Sequence, residues 1–181
     1  MKKSILLTAL SLFFMAVNSN AQTKISGNGN VTTETRTTGD YDGIRIAGFF
    51  DVDLVAGKEG KITIKGEENL LAVIKVEVEE NTLKIYVERN TNIRPSAGKG
   101  IQITVPFEKI SEVSLAGSGS VETKDAIKSD KFSANLSGSG NFNLALNSTD
   151  LELNLSGSGD VNLKGNAANF STILSGSGDI D

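Results

Sequence analysis

LSGSGDVN, residues Leu155–Asn162, is one of four near-identical phrases in a chain of 181 residues. The others are LAGSGSVE from Leu115, LSGSGNFN from Leu136 and LSGSGDID from Leu174. Their first glycines, Gly117, Gly138, Gly157 and Gly176, are 21, 19 and 19 residues apart. The second glycines are Gly119, Gly140, Gly159 and Gly178. Two worn copies lie upstream: ISGNGNVT from Ile25, with Gly27 and Gly29, and IAGFFDVD from Ile46, where Gly48 keeps its slot and Phe50 replaces the second glycine. Only the step of 69 residues from Gly48 to Gly117 breaks the period.

Apolar residues alternate on both sides of each phrase. Phe132, Ala134 and Leu136 precede one pair of glycines, and Phe142, Leu144 and Leu146 follow it. Leu151, Leu153, Leu155 and then Val161, Leu163 repeat the pattern. A period of two marks strands with one buried and one wet face. Glycine reaches positive φ without a Cβ penalty, so Gly-x-Gly can form a sharp corner between two strands. A unit of this size cannot bury its apolar face alone, whereas stacked units form one core. The expected fold is all-β: a right-handed parallel β-helix, or solenoid, of 19–21-residue coils. The alternative is an antiparallel β-sandwich, whose turns are also regularly spaced.

The 69-residue step implies a strand-rich insertion at about 58–110, before a repeat region at 111–181. KITIKG, KVEVEENTLKIYVER and GIQITVP alternate in it, Glu80-Asn81 reads as a hairpin tip, and EENLLAVI suits one helical turn. These strands are expected to project from the first coils or lie over them. The last coil stops at Asp181, so the repeat region is expected either to be incomplete there or to pair through its open end with a partner or a second copy.

Residues 1–21 read as a signal peptide: Lys2 and Lys3, an apolar run from Ile5 to Val17, and a small-residue site with cleavage after Ala21. Residues 22–181 then form a single domain. Without Lys2 and Lys3 the 18 basic residues fall to 16, against 22 acidic ones, a net charge of −6. An acidic chain without a basic cluster gives no reason to expect nucleic acid. Residues 22–181 contain no Cys, His, Trp or Met. This excludes disulfides, a serine–histidine triad, a cysteine nucleophile and the usual zinc, copper or haem ligands. No cofactor is expected.

The slot after the second glycine holds Asn30, Asp51, Ser120, Asn141, Asp160 and Asp179. In stacked coils these form a polar ladder with rungs ~4.8 Å apart. The Gly-Ser-Gly phrase and the long period do not match a calcium-binding nonapeptide repeat, so the ladder reads as solvated. Glu67-Glu68 and Glu79-Glu80 are adjacent pairs; on a strand such neighbours point to opposite faces and do not make a glycosidase pair. No catalytic residues are assigned. The exposed positions, including Ser133, Asn135, Glu152, Asn154 and Ser171, form a flat polar surface suited to a glycan or another envelope protein.

The signal peptide, GIRIAGFFDVDL, the insertion with EENLLAVIKVEVEENTLKI, and the serial LSGSGDV phrases together resemble the head GIN domain of autotransporter adhesins, a domain of unknown function. The resemblance covers residues 25–181. It implies a right-handed parallel β-helix and an exported bacterial protein, in the periplasm, on the outer-membrane face or at the cell surface. The implied role is a non-enzymatic binding or structural module related to adhesion. The alternative is an envelope enzyme acting on polysaccharide from a β-helix scaffold.

Overall fold

The computed structural model describes residues 22–181. The signal peptide and its cleavage site after Ala21 lie outside the described residues. The chain runs β1 (Thr23–Ser26), β2 (Val31–Thr37), β3 (Gly43–Gly48), β4 (Asp51–Ala56), β5 (Lys61–Glu67), α1 (Glu68–Leu71), β6 (Ile74–Glu79), β7 (Thr82–Val87), β8 (Thr91–Arg94) and β9 (Gln102–Phe107). It continues with β10 (Glu112–Gly117), β11 (Ser120–Thr123), β12 (Ile127–Gly138), β13 (Asn141–Gly157) and β14 (Asp160–Gly176). The described residues are therefore all-β apart from one helical turn, which falls within EENLLAVI.

The repeat strands pair in parallel, and their register offsets are the spacings of the glycines. Gly48 lies beside Gly117, Gly117 beside Gly138, Gly138 beside Gly157 and Gly157 beside Gly176. The first half of β13 pairs with β11 and its second half with β12. One strand thus belongs to two sides of the sheet, which curls into a nearly closed, barrel-like form.

The sheet as a whole is mixed, which corrects the expectation of a uniformly parallel coil. Strands β2 and β5, β5 and β9, and β6 and β7 pair antiparallel. The cause is local. A short loop can join only antiparallel neighbours, and Glu80 and Asn81, with φ of 48° and 59°, form the tight turn between β6 and β7. Nor is the sheet an antiparallel sandwich, since every pairing between repeat units is parallel.

The inserted strands do not project from the first coil. β7 pairs in parallel with β3, and β9 with β4, so Ile85 extends the column of Ile46 and Ile103 that of Val52. The coil of β3 and β4 is therefore covered on one side by β7 and β9 and on the other by β10 and β11. From β3 and β4, inside the stack, the chain detours to build one end and returns to build the other. The copy around Gly27 leaves the column altogether. β1 pairs with β8 in a separate two-stranded sheet, with Ile25 beside Ile93.

Inward residues form continuous columns. Ile85, Ile46, Leu115, Leu136 and Leu155 are all nearly inaccessible, each contributing ~1.5–3 kcal/mol by burial. The column ends at Leu174, which is half exposed on the outer strand β14.

The corners explain why glycine recurs. Gly157 has φ +133°, a region reserved for glycine, and a Cβ there would lie 2.1 Å from the carbonyl oxygen of Gly138. That oxygen accepts the N–H of Ser158 at 2.9 Å. A side chain would occupy the space of the bond that joins the two coils. Gly159 has no positive φ, yet its Cβ would lie 2.1 Å from the oxygen of Gly140. The first glycine therefore answers to both conformation and space, the second to space alone.

Gly157→Ala should lose about 1–3 kcal/mol from backbone strain alone, with coil separation adding to it. For a chain of this size each kcal/mol lowers the melting temperature by about 2–4 °C. Gly159→Ala should also melt earlier, from the collision only. Gly39→Ala, with nothing within 4 Å of the added carbon, should melt like the parent. Equal melting temperatures for all three by circular dichroism would refute this account of the corners.

Candidate functional site

Five of the six ladder residues come together. Asp51 lies beside Ser120, Ser120 beside Asn141, and Asn141 beside Asp160. The Ser120 hydroxyl donates to Asp51 Oδ1 at 2.7 Å. The Asp160 N–H donates to Asn141 Oδ1 at 3.3 Å, and the Asp179 N–H to Asp160 Oδ1 at 3.4 Å. Asn141 Oδ1 and Asp160 Oδ1 each turn toward the backbone of the next coil. Gln102 of β9 adds a rung beside Asp51. Among the described residues no group of three or more carboxylates is placed to hold a metal ion.

Asn30, Gly27 and Gly29 stand apart from the ladder and the corners, at a junction built around Glu67. Glu67 is 1 % exposed. Its carboxylate accepts the Ser96 N–H at 2.7 Å, the Ser96 hydroxyl at 2.6 Å and the Gly29 N–H at 2.6 Å. Lys99 donates to the Gly29 carbonyl. A Cβ on Gly27 would fall 2.0 Å from Glu67 Oε2, so glycine serves here to admit a carboxylate. The Ser96 hydroxyl and N–H, then the Gly29 N–H and the Lys99 charge, hold the Glu67 carboxyl below the usual carboxylate range against the opposing effect of burial. Sequence pairing with Glu68 gave no hint of this, because the partners come from loops distant in the chain.

A long concavity runs along the edge of the stack opposite the Gly-x-Gly corners. Its volume is about 1010 Å³. Each coil contributes the short segment between one sheet side and the next, among them residues 109–111, 128–131 and 147–149, and Asn166. Lys128, Asn147 and Asn166 form one column, and Asn166 Nδ2 donates to Asn147 Oδ1 at 3.1 Å. Lys131, Asp150 and Asn169 form a second, in which Asn169 Nδ2 donates to Asp150 Oδ1 at 2.8 Å. Ser129, Ser148 and Ala167 lie between them. The Ser148 hydroxyl oxygen is buried and has no hydrogen-bond partner. The 19-residue offset, applied beyond the glycine phrases, would have found these columns.

A second face carries Asn135 and Asn154, where Asn154 Nδ2 donates to Asn135 Oδ1 at 2.9 Å. Ser133 and Glu152 sit in the neighbouring column. Ser133, Glu152 and Ser171 line a concavity of about 570 Å³ and not a flat surface.

The family model described as "Putative auto-transporter adhesin, head GIN domain" matches residues 40–181. Among solved structures, a Parabacteroides distasonis protein described as "Putative lipid binding protein" is 30% identical, with a TM-score of 0.80 over 87% of this chain and 68% of that one. A "putative adhesin" from the same species is 20% identical, with a TM-score of 0.62 over 87% of this chain and 75% of that one. A "putative cell adhesion protein" from Clostridium sporogenes shares the fold at 12% identity and a TM-score of 0.53, over 83% of this chain and 97% of that one. A search of curated proteins finds no match.

Glu67→Gln removes a charge that three donors hold. Because the folded carboxyl titrates below its ordinary value of 4.5, its stabilisation is full above that value and is lost as pH falls toward the lowered one. The variant should unfold at lower urea than the parent at neutral pH, and the gap should close as the solution is acidified. A gap of constant size across the acid range would contradict the ion-based account of the junction.

Proposed function

The chain belongs to the family described as "Putative auto-transporter adhesin, head GIN domain", and from that premise we propose that it is an exported, non-enzymatic binding module of the bacterial envelope, with a role in adhesion. In this reading the repeat region is a right-handed parallel β-helix that serves as a rigid display surface, with β2, β5 and β6 closing one end. One observation carries the proposal: a long polar trough, lined by equivalent residues of successive coils, on a scaffold whose corners are held by backbone contact. Such a surface offers polar groups at equivalent positions on each step of the stack, which suits an extended polymer with repeating hydroxyls. The adhesin descriptions of structural relatives agree with it.

A second reading rests on a different surface. Phe170, Ile173 and Leu174 of β14 are at least half exposed, beside a cavity of about 430 Å³ with Leu146, Leu151, Leu163 and Ile180 in its lining. One relative is described as lipid-binding, and here such a site would take an acyl chain.

Both readings are separated by probing the secreted chain with a glycan array and, in parallel, with a fluorescent fatty acid. Retention of a restricted set of glycans, with no new reducing ends released, is the expected result. Release of reducing ends would move the protein to the polysaccharide-acting enzyme class. Fatty-acid binding without glycan binding would favour the second reading and reject the first.

A further inference from the structure

Charge is unevenly spread over the stack. The side that carries the ladder is acidic: Asp51, Asp53, Glu122, Asp160 and Asp179 share it with Lys124, which pairs with Asp53 at 3.1 Å and Glu122 at 2.8 Å. The trough on the opposite edge gathers Lys109, Lys128 and Lys131. All three are exposed, and none has a carboxylate oxygen within 4.0 Å among the described residues. Three carboxylates accompany them: Asp42 and Asp130 in the lining, Asp42 engaged by the Asn81 side-chain amide at 2.8 Å, and Asp150 beside Lys131 in the second column. On a chain whose residues 22–181 carry 16 basic and 22 acidic groups, this is a local concentration of lysines without a salt-bridge partner.

Resting on the binding-module reading, we propose that the trough is a subsite for an acidic polysaccharide, a chain of sugar rings bearing carboxylate or sulfate groups, laid along the stack axis. The lining comes from five successive coils, from Asp42 through Ser111, Lys128 and Asn147 to Asn166, a run of about 19 Å at ~4.8 Å per coil. Each step is close to the length of one sugar ring, so a linear glycan meets one coil per ring. The lysines stand on the second and third of these coils and attract the anionic substituents. The asparagines of the fourth and fifth supply donors for ring hydroxyls: Asn147 accepts through Oδ1 and leaves its own Nδ2 donors uncommitted among the described residues.

Other polyanions fit less well. A single-stranded nucleic acid is held by stacked aromatic rings, and no aromatic residue lines this trough. An anionic membrane offers its charges in a plane, which meets a convex surface better than a recess.

The test is calorimetric titration of the secreted chain with an oligogalacturonate, with an uncharged oligosaccharide of equal length, and with phosphatidylglycerol vesicles. The oligogalacturonate should bind, with affinity falling as salt is raised. Lys109→Gln/Lys128→Gln/Lys131→Gln should weaken it at least tenfold at an unchanged melting temperature. Lys24→Gln/Lys58→Gln/Lys61→Gln, the same charge change away from the trough, should not. Asn147→Ala should weaken binding without altering its salt dependence. If the triple trough variant does not fold, Lys128→Gln and Lys131→Gln are tested singly. Equal loss in both triple variants, or binding insensitive to salt, overturns the inference. Binding of the uncharged oligosaccharide alone also overturns it but leaves the binding-module reading intact. Vesicle binding that the trough lysines control, without oligogalacturonate binding, rejects the glycan in favour of a lipid surface. Absence of binding to any saccharide overturns both this inference and the reading it rests on.

Discussion

Backbone meets backbone at every Gly-x-Gly corner, and the rest of the structure depends on that approach. The carbonyl of one coil lies where a Cβ of the next would be, at 1.9 Å for Gly117, 2.3 Å for Gly138 and 1.9 Å for Gly176. Only a residue without a side chain lets the following N–H reach that carbonyl. With the corners closed, the strands on both sides are forced into register. The register then aligns Leu with Leu and Asn with Asn through the stack. A slip by one residue would turn each apolar column outward, so corner and core enforce the same alignment.

The first coil shows how the constraint is relaxed at one position. Phe50 stands in the second-glycine slot and is fully buried, its ring packed against Gly48. The neighbouring inserted strands β7 and β9 are joined by a long excursion through β8, not by a Gly-x-Gly corner. On that side the Ile101 carbonyl accepts the Asp51 N–H at 3.0 Å, and the Phe50 ring is taken up in the core. Beyond it the stack is closed by antiparallel strands carrying charge: Lys75, Glu77 and Glu79 on β6, Glu34 and Arg36 on β2. Charged outer strands are a usual defence against unwanted edge pairing. β14 carries no charge from Gly165 to Gly176, so the two ends of the described stack differ in kind.

A scaffold held this way suits recognition of repetitive ligands. Its side-chain columns are rigid because the backbone beneath them is shared by neighbouring coils. The opposite edges do different work: one consists of glycine corners without side chains, the other of polar segments free to vary. Lys128 and Asn147 occupy equivalent positions on successive coils, as do Lys131 and Asp150. Chemistry can therefore change along the trough without disturbing the core.

What the sequence determined by itself is everything that repeats. Spacings of 21, 19 and 19 are the register offsets, because identical units stack only when equivalent residues touch. The corners, the apolar columns and the ladder from Asp51 to Asp179 were legible for that reason, as was the Glu80-Asn81 turn, which is a local matter of backbone conformation. The tertiary structure alone decided what does not repeat. β7 and β9 join the stack at offsets of 39 and 51 residues that occur once each, so no periodicity announces them. The fragment around Gly27 matches the phrase in letters but pairs elsewhere, since β8 offers Ile25 a partner in Ile93. Glu67 draws Gly29 and Ser96 together across 38 and 29 residues of chain. The trough gathers lysines whose common placement follows only from the curl of the sheet. A hydrogen-bonded ladder propagates a local rule, whereas a junction between loops depends on where the chain returns, and that is settled only when the whole sheet has closed on its core.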